Sequence, residues 1–402
     1  MLPTPPDSST LRRLIGAAGK ARRNGTKWLL RRLWDELRHP MRLPGKIWRS
    51  VIVIGYAGGL GAIGFALRPF TSRSTLYVFY DFQVSPVTFD ICWPVTIAEN
   101  IRRKRGLTDI HFVFVPGYHD GFRDETPDYE AVVDRPARRW RMSQILVPVL
   151  QLLPEITGIT ICQSRSEATF LRVLHGRHVY PPSYWPGLPV AHKPAHLLAP
   201  AREGLSVALP LRAPSHAMRY VKQWQAAKQY DERKLIVITL RNYAYMPERN
   251  SNIVAWARFA QGLDAREFAV VFVPDTETAM DNAPDVLSGF QFVTAAAWNL
   301  EIRMALYEAA YLNLMVNNGP HGLCMFNERC RYVMFKILTE TAPQTTREYM
   351  EFLGFEIGKS PPFSTRFQRW VWEEDSLSVI EREFAAMRSE IENNGLNPAR
   401  EA

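Results

Sequence analysis

The segment Leu312–Phe326, with the sequence LNLMVNNGPHGLCMF, indicates the fold of this chain most clearly. Its first five residues, Leu312–Val316, are mostly apolar, as in a strand buried on both faces of a sheet. A polar turn follows, and an apolar pattern typical of a helix start resumes at Gly322. A glycine-containing turn between a buried strand and a helix N-terminus presents backbone N–H groups to an anion. We therefore predict that this turn holds a phosphate or a sugar.

The same alternation of strands and helices extends outward from this segment. Further strands are predicted at Leu76–Tyr80, Ile110–Val115, Ile156–Cys162, Leu235–Leu240, Phe268–Val273, Gly289–Thr294 and Val333–Ile337. A proline-rich stretch from Pro181 to Pro214 interrupts the alternation and marks a boundary region. Strands that alternate with helices form parallel sheets. We predict an α/β protein with two Rossmann-like, doubly wound parallel-sheet domains that face a central cleft.

The predicted domains are residues 71–230 and 231–402, preceded by a basic N-terminal helical arm over residues 1–70. Residues 1–49 contain twelve Lys/Arg and three Asp/Glu, an excess that equals the +9 net charge of the whole chain. Residues 50–402 are therefore formally neutral, which argues against a nucleic-acid partner for the body of the protein. The four cysteines include no C-x-x-C pair and are expected to be reduced and buried, as in a cytoplasmic protein.

The N-terminal arm alternates basic residues with Trp and Leu, a composition typical of helices that lie in a membrane interface. It leads into Val51–Leu67, which has no charged residue over 17 positions and is short for a spanning helix. We expect residues 1–67 to bind an anionic membrane surface, with the protein cytoplasmic and peripheral to the inner face of the cell membrane. The alternatives are a solvated arm and a buried helix.

A dinucleotide-binding motif is a further reading of the same segment. Gly59, Gly61 and Gly64 satisfy G-x-G-x-x-G, and Asp81 follows at a suitable distance. However, Pro69 leaves no room for the crossover helix that must follow the third glycine. An oxidoreductase is therefore a minor alternative.

Polar residues follow three of the predicted strands in the second domain. Arg241 and Arg249 come after Leu235–Leu240 and offer planar cationic donors suited to a diphosphate. Asp275, Thr276 and Glu277 come after Phe268–Val273, and the turn Asn317-Asn318-Gly319-Pro320-His321 comes after Leu312–Val316. The two arginines could equally form surface salt bridges. The segment Asn317-Asn318-Gly319-Pro320-His321 could be an ordinary tight turn.

The second domain resembles the donor-binding domain of GT-B glycosyltransferases, most closely the lipopolysaccharide heptosyltransferase group. Members of that group place an Asp-Ser-Gly-Pro-Met-His-type turn after a buried strand, against a nucleotide sugar. Asn317, Asn318, Gly319 and Pro320 stand at the matching positions, and His321 follows the proline directly. The resemblance implies a nucleotide-sugar donor bound by Arg241, Arg249, Asp275, Thr276, Glu277 and residues 317–321. It also implies a terminal helix, around 376–387, that packs back across the domains.

In such a fold a general base for the acceptor hydroxyl comes from the first domain. Asp81 is the first choice because it ends a strand, and Asp90, His119 and Asp120 are the other candidates. No Asp-x-Asp motif is present in the chain, so we expect transfer without a metal or other cofactor. The predicted activity is sugar transfer to a cell-envelope or surface glycan, or to a lipid-linked acceptor. A sugar-nucleotide epimerase and a non-catalytic membrane-docked scaffold are the alternatives.

Overall fold

The computed structural model of the chain describes residues 55, 58–118 and 120–394, and these residues form two sheets. The first sheet has the order β3-β2-β1-β4, with β1 (Thr75–Asp81), β2 (Asp109–Val115), β3 (Ile156–Ile161) and β4 (Val179–Tyr180). The second has the order β10-β9-β8-β5-β6-β7. Its strands are β5 (Lys234–Thr239), β6 (Phe268–Val273), β7 (Gln291–Phe292), β8 (Leu312–Val316), β9 (Tyr332–Phe335) and β10 (Gln368–Trp370). All strand pairs in both sheets are parallel, which confirms the predicted fold class.

The strand order of the second sheet identifies its switch point. Counted within the domain, the order is 3-2-1-4-5-6, the doubly wound arrangement of dinucleotide-binding sheets. The chain winds outward in opposite directions from β5 and β8, so a crevice opens at the carboxyl ends of these two strands. The turn after β8 lies at that crevice.

Helices flank both sheets. Beside the first sheet they are α1 (Gly58–Leu67), α2 (Cys92–Lys104), α3 (Pro127–Val132), α4 (Arg135–Arg141), α5 (Val147–Gln151), α6 (Arg165–Leu174) and α7 (Ala195–Arg202). A connecting helix, α8 (Ser215–Ala227), leads to the second domain. That domain has α9 (Ile253–Gly262), α10 (Ala295–Trp298), α11 (Leu300–Ala309), α12 (His321–Met325), α13 (Arg347–Leu353) and α14 (Leu377–Asn394). The side chain of Asn252 caps α9 by accepting a hydrogen bond from Ala255 N at 3.2 Å.

The two domains share one continuous hydrophobic core. Residues of both sheets belong to the same buried cluster, in which the first-domain helix α2 packs against α12 of the second. At this contact the rings of Trp93 and Phe326 meet edge to face, with their centroids 4.9 Å apart. The carboxyl edges of the sheets therefore face each other, and apolar side chains fill part of the space between them.

The terminal helix α14 packs within the second domain. Its buried residues Val379, Ile380, Phe384 and Met387 join the core between the second sheet and α9. The resemblance led us to expect a helix that crosses back over both domains. The apolar stripe of α14 is instead buried against its own domain.

Helix α1 contains all three glycines of the G-x-G-x-x-G pattern. A dinucleotide site needs these glycines in a turn between a strand and a helix, so the pattern does not form that site here. Gly64 instead allows α1 to pack on α6, because a Cβ atom at this position would lie 2.7 Å from the carbonyl oxygen of Val173. Among the described residues no helix is long and apolar enough to cross a membrane. The basic residues 1–49 lie outside the described part of the chain.

The close contact at Gly64 predicts that Gly64→Val separates α1 from α6. The obstructing atom belongs to the backbone, so the helix itself must move, at an expected cost of about 1–3 kcal/mol in unfolding free energy. Backbone hydrogen exchange across Gly58–Leu67 should accelerate. Gly61→Ala is the control, because no atom lies within 4 Å of the Cβ position at Gly61. Unchanged exchange in Gly64→Val would refute the contact.

Candidate active site

The turn after β8 is held by hydrogen bonds between its own residues. Asn318 Oδ1 accepts from the backbone N–H of His321 at 3.1 Å, and His321 Nδ1 donates to the Asn318 carbonyl. The backbone N–H of Asn317 donates to Phe335 O at 3.0 Å. Because a carbonyl can only accept, the His321 proton lies on Nδ1, and Nε2 carries a lone pair. The turn therefore presents a hydrogen-bond acceptor on a histidine ring.

His321 is neutral near pH 7. Burial lowers the pKa of its imidazole to about 4, and Arg249 acts in the same direction. The hydrogen bond to Asn318 and the carboxylate of Asp90 raise this pKa, by less than burial lowers it.

Arg241 organises the loop that follows β5. Its guanidinium donates to Met246 O at 2.9 Å, and also to the Tyr245 carbonyl and to Asn250 Oδ1. Burial lowers the pKa of Arg241 to about 10. The sequence predicts this arginine as a diphosphate ligand, whereas the structure shows a guanidinium bonded to its own loop. We call residues 241–250 the Arg241 loop.

Arg249 is the arginine that reaches the turn. Its Nη2 donates to Asn317 O at 3.1 Å, while its buried Nε has no hydrogen-bond partner among the described residues. Asn318 Nδ2, in the same turn, is also buried and without a partner in the described part of the chain. Burial lowers the pKa of Arg249, and the nearby carboxylate of Asp90 raises it. An oxygen-rich ligand at this turn could therefore accept hydrogen bonds from both Arg249 Nε and Asn318 Nδ2.

Asp90 lies at the turn from the side of the first domain. A short 3-10 helix, Phe89–Ile91, precedes α2, and Thr88 Oγ1 donates to Asp90 Oδ2 at 2.9 Å. A Cβ atom on Gly319 would lie 2.7 Å from Cδ2 of Phe89. The charge of Asp90 acts on both Arg249 and His321. Among the candidate bases predicted from the sequence and described by the structure, Asp90 is therefore the one placed near the turn.

The other predicted acids are placed differently. Asp81 is buried, and Arg165 binds it through two hydrogen bonds of 2.9 and 2.7 Å. Tyr184 donates to the same carboxylate at 2.8 Å. These bonds engage both oxygens of Asp81, which favours a structural role, and its assignment as the first-choice base stays a prediction. Asp120 forms an exposed ion pair with Arg135, and His119 lies outside the described residues.

A cavity of about 190 Å³ lies at the carboxyl ends of β5, β6 and β7, and β5 is also the neighbour of β8 in the sheet. Its lining combines apolar and polar groups, including Leu240, Asn242, Ile253, Asp275 and Phe292. Burial raises the pKa of the Asp275 carboxyl. Thr276 Oγ1 donates to Ala297 O at 3.0 Å, which directs this hydroxyl into the protein. Glu277 is exposed and interacts with Tyr243.

Residues of α3 and α4 contact the Arg241 loop from the first domain. Arg141 Nη2 donates to Tyr243 Oη at 2.7 Å, and the rings of Tyr129 and Tyr245 meet edge to face at 5.1 Å. The sequence prediction missed these residues. The only signal was the basic run RPARRWR over Arg135–Arg141, which by itself indicates a solvated helix.

Comparison with known proteins gave structural matches only. Neither a family model nor a curated protein matches the chain. Among solved structures it is similar to a glycosyl transferase family 9 protein from Veillonella parvula DSM 2008, with 10% identity and a TM-score of 0.49, over 79% of this chain and 98% of that one. It is also similar to the wall teichoic acid polymerase TagF, with 8% identity and a TM-score of 0.28, over 86% and 90% of the two chains. Similarity at this level concerns the path of the chain and assigns no activity.

The neutral state of His321 predicts a pH dependence of stability. Its folded pKa of about 4 lies below the unfolded value of about 6.5, so only the unfolded chain binds this proton between these values. Stability should therefore fall as the pH falls from about 6.5 to about 4, with a contribution on the order of 3 kcal/mol from this group.

The variant His321→Asn can keep the bond to Asn318 and does not titrate. Urea unfolding is measured near neutral pH and near the lower end of that range. Between these two conditions the unfolding free energy should fall less for this variant than for the wild type. His216→Asn, at an exposed histidine that contacts Glu301, is the control. Equal pH dependence in the wild type and His321→Asn would contradict a His321 that stays neutral in the folded chain.

The pairing of Asp81 predicts a structural role for this residue. Asp81→Asn removes one charge of a buried pair and should lower the unfolding free energy by about 3–5 kcal/mol, as measured by urea denaturation. Asp120→Asn breaks an exposed pair and should have little effect. An Asp81→Asn protein of normal stability that had lost activity would restore Asp81 as the base.

Proposed function

We propose that this protein is a glycosyltransferase that moves a sugar from a nucleotide-sugar donor to a cell-envelope or surface glycan, or to a lipid-linked acceptor, with no metal ion. One observation carries the proposal. At the switch point of the second sheet, Arg249 donates to Asn317 O of the turn, and the Asp90 carboxylate of the first domain is near enough for its charge to act on Arg249 and His321. A cation, unpaired N–H donors and a carboxylate at this position suit a charged donor and a hydroxyl acceptor.

The donor would lie along the carboxyl edge of the second sheet. Its base and ribose would occupy the cavity at β5, β6 and β7, where Asn242 and Asp275 are available to form hydrogen bonds. Its diphosphate would then reach the neighbouring turn after β8. There the oxygens could accept from Arg249 Nε and Asn318 Nδ2, two buried donors at this turn that have no partner among the described residues.

The chemistry follows from the two sides of the site. The acceptor oxygen attacks the anomeric carbon of the donor sugar, and its proton passes to the carboxylate of Asp90. The bond from that carbon to the diphosphate oxygen breaks, and the nucleoside diphosphate leaves with the electron pair. Arg249 stabilises the charge that develops on the leaving group. The lone pair on His321 Nε2 can accept a hydrogen bond from a sugar hydroxyl.

We place this activity in the cytoplasm, at the inner face of the cell membrane. The support is the composition of residues 1–67, which combine a basic amphipathic arm with an uncharged apolar segment. We also propose the domain limits 71–230 and 231–402, and their support is that each sheet falls within one of these ranges.

Donor binding is tested by titration calorimetry with UDP-, GDP- and ADP-sugars. One of them should bind the wild type, and Arg249→Ala should weaken that binding roughly 10- to 100-fold, the value of a hydrogen bond to a charged group. Arg266→Ala is the control, because Arg266 is exposed and pairs only with Asp264 in the described part of the chain. Binding of none of the three classes would sink the proposal, as would equal affinity in Arg249→Ala.

The same experiment separates binding from catalysis. Asp90→Asn should bind the donor as the wild type does, and should reduce transfer of labelled sugar into an envelope fraction by roughly 10²- to 10⁴-fold. Turnover of the donor with no acceptor present would instead indicate an epimerase.

A further inference from the structure

Helix α1 exposes an apolar surface. It has the sequence GGLGAIGFAL, and Gly64 is its only buried residue. Successive helical residues are about 100° apart, so Ile63 and Phe65 flank the buried Gly64 on opposite sides. Their exposed fractions are 52% and 67%. A helix without a charged residue is normally buried or lies in a membrane, so this exposure indicates a contact surface.

The exposed surface continues beyond α1. Phe70 follows the helix directly and is 83% exposed, and Phe170 of α6 is 61% exposed. Phe170 lies one turn before Val173, the residue that Gly64 contacts, so it belongs to the same flank of the first domain. We call Ile63, Phe65, Phe70 and Phe170 the apolar face.

Basic residues border the apolar face. The carbonyl of Ser74 accepts from the backbone N–H of Thr108 at 2.9 Å, which places Arg73 beside the end of α2. Lys104 and Arg105 lie at that end, and all three cations are exposed. None of the three forms a salt bridge with any described residue. These cations form a basic rim at the amino edge of the first sheet.

We propose that the apolar face and its basic rim dock on an anionic lipid bilayer. Aromatic and aliphatic side chains suit the boundary between headgroups and acyl chains, and cations suit anionic headgroups. The residues that precede α1 support this partner, because residues 1–49 carry nine more cations than anions. A second copy of this chain offers no complementary charge, since it carries the same basic segment beside a neutral body.

The docking surface goes beyond the membrane contact proposed for residues 1–67, because Arg73, Lys104, Arg105 and Phe170 belong to the folded first domain and Phe70 directly precedes it. It fixes which side of that domain faces the lipid.

The test is co-sedimentation of the full chain with vesicles. One set contains equal parts of phosphatidylglycerol and phosphatidylcholine, and the other contains phosphatidylcholine alone. The triple variant Ile63→Ser/Phe70→Ser/Phe170→Ser should bind the anionic vesicles roughly 10-fold or more weakly than the wild type. The triple variant Arg73→Glu/Lys104→Glu/Arg105→Glu should reduce the preference for anionic vesicles. All six positions are exposed, so the thermal unfolding of both variants should match that of the wild type.

The control carries three serines at exposed apolar positions of the second domain, Val254→Ser/Met280→Ser/Phe352→Ser. It should bind vesicles as the wild type does. The proposal is overturned if the apolar-face variant binds as tightly as the wild type, or if the control loses as much binding. It is also overturned if the wild type avoids vesicles and forms a dimer that the apolar-face variant dissociates. No donor or acceptor is present in this assay, so its outcome is independent of the proposed transfer activity.

Discussion

The arrangement of the two domains depends on a close contact between Phe89 and Gly319. A Cβ atom at position 319 would lie 2.7 Å from Cδ2 of Phe89, and one at position 322 would lie 3.2 Å from Sγ of Cys92. Two glycines therefore let the start of α2 pack directly on the turn after β8. This contact brings Asp90 to Arg249 and His321, and it aligns the carboxyl edges of the sheets. Without it the first domain would bring no carboxylate to the turn after β8.

The Arg241 loop connects this site to a second contact between the domains. Arg241 binds the carbonyls of Tyr245 and Met246, and Arg249 at the end of the loop binds the carbonyl of Asn317. At the other end, Tyr243 accepts a hydrogen bond from Arg141 of the first domain. A buried guanidinium thus holds a loop that contacts both the first domain and the turn after β8. A movement of α4 would therefore shift this loop and, with it, the position of Arg249.

Sequence reasoning predicted the elements that have a strong local signal. Leu312–Val316 forms β8 with the predicted limits, and its turn lies at the switch point. This strand could be predicted because an apolar run followed by a polar turn is visible in the local sequence alone. The strands β4 and β10 were missed, since two or three residues show no periodicity.

The roles of individual polar residues were harder to predict. Asp81 and Arg241 were chosen as functional because polar residues at strand ends face a cleft. Their hydrogen bonds are taken by groups that the local sequence does not reveal: Arg165 lies 84 positions after Asp81, and the carbonyls around Arg241 come from a loop of irregular backbone. Asp90 reaches the site through the packing of two domains, which only the tertiary structure shows.

The length of β1 has a consequence for the acceptor. Arg73 precedes the amino end of this strand and Asp81 is at its carboxyl end, and a seven-residue strand spans roughly 23 Å. With the amino edge resting on lipid, the reacting centre would stand about that far from the headgroups. An acceptor hydroxyl attached close to the bilayer could not reach it. Only a glycan of several sugars would span the gap, so the first domain would act as a ruler that admits extended chains and leaves short ones unmodified.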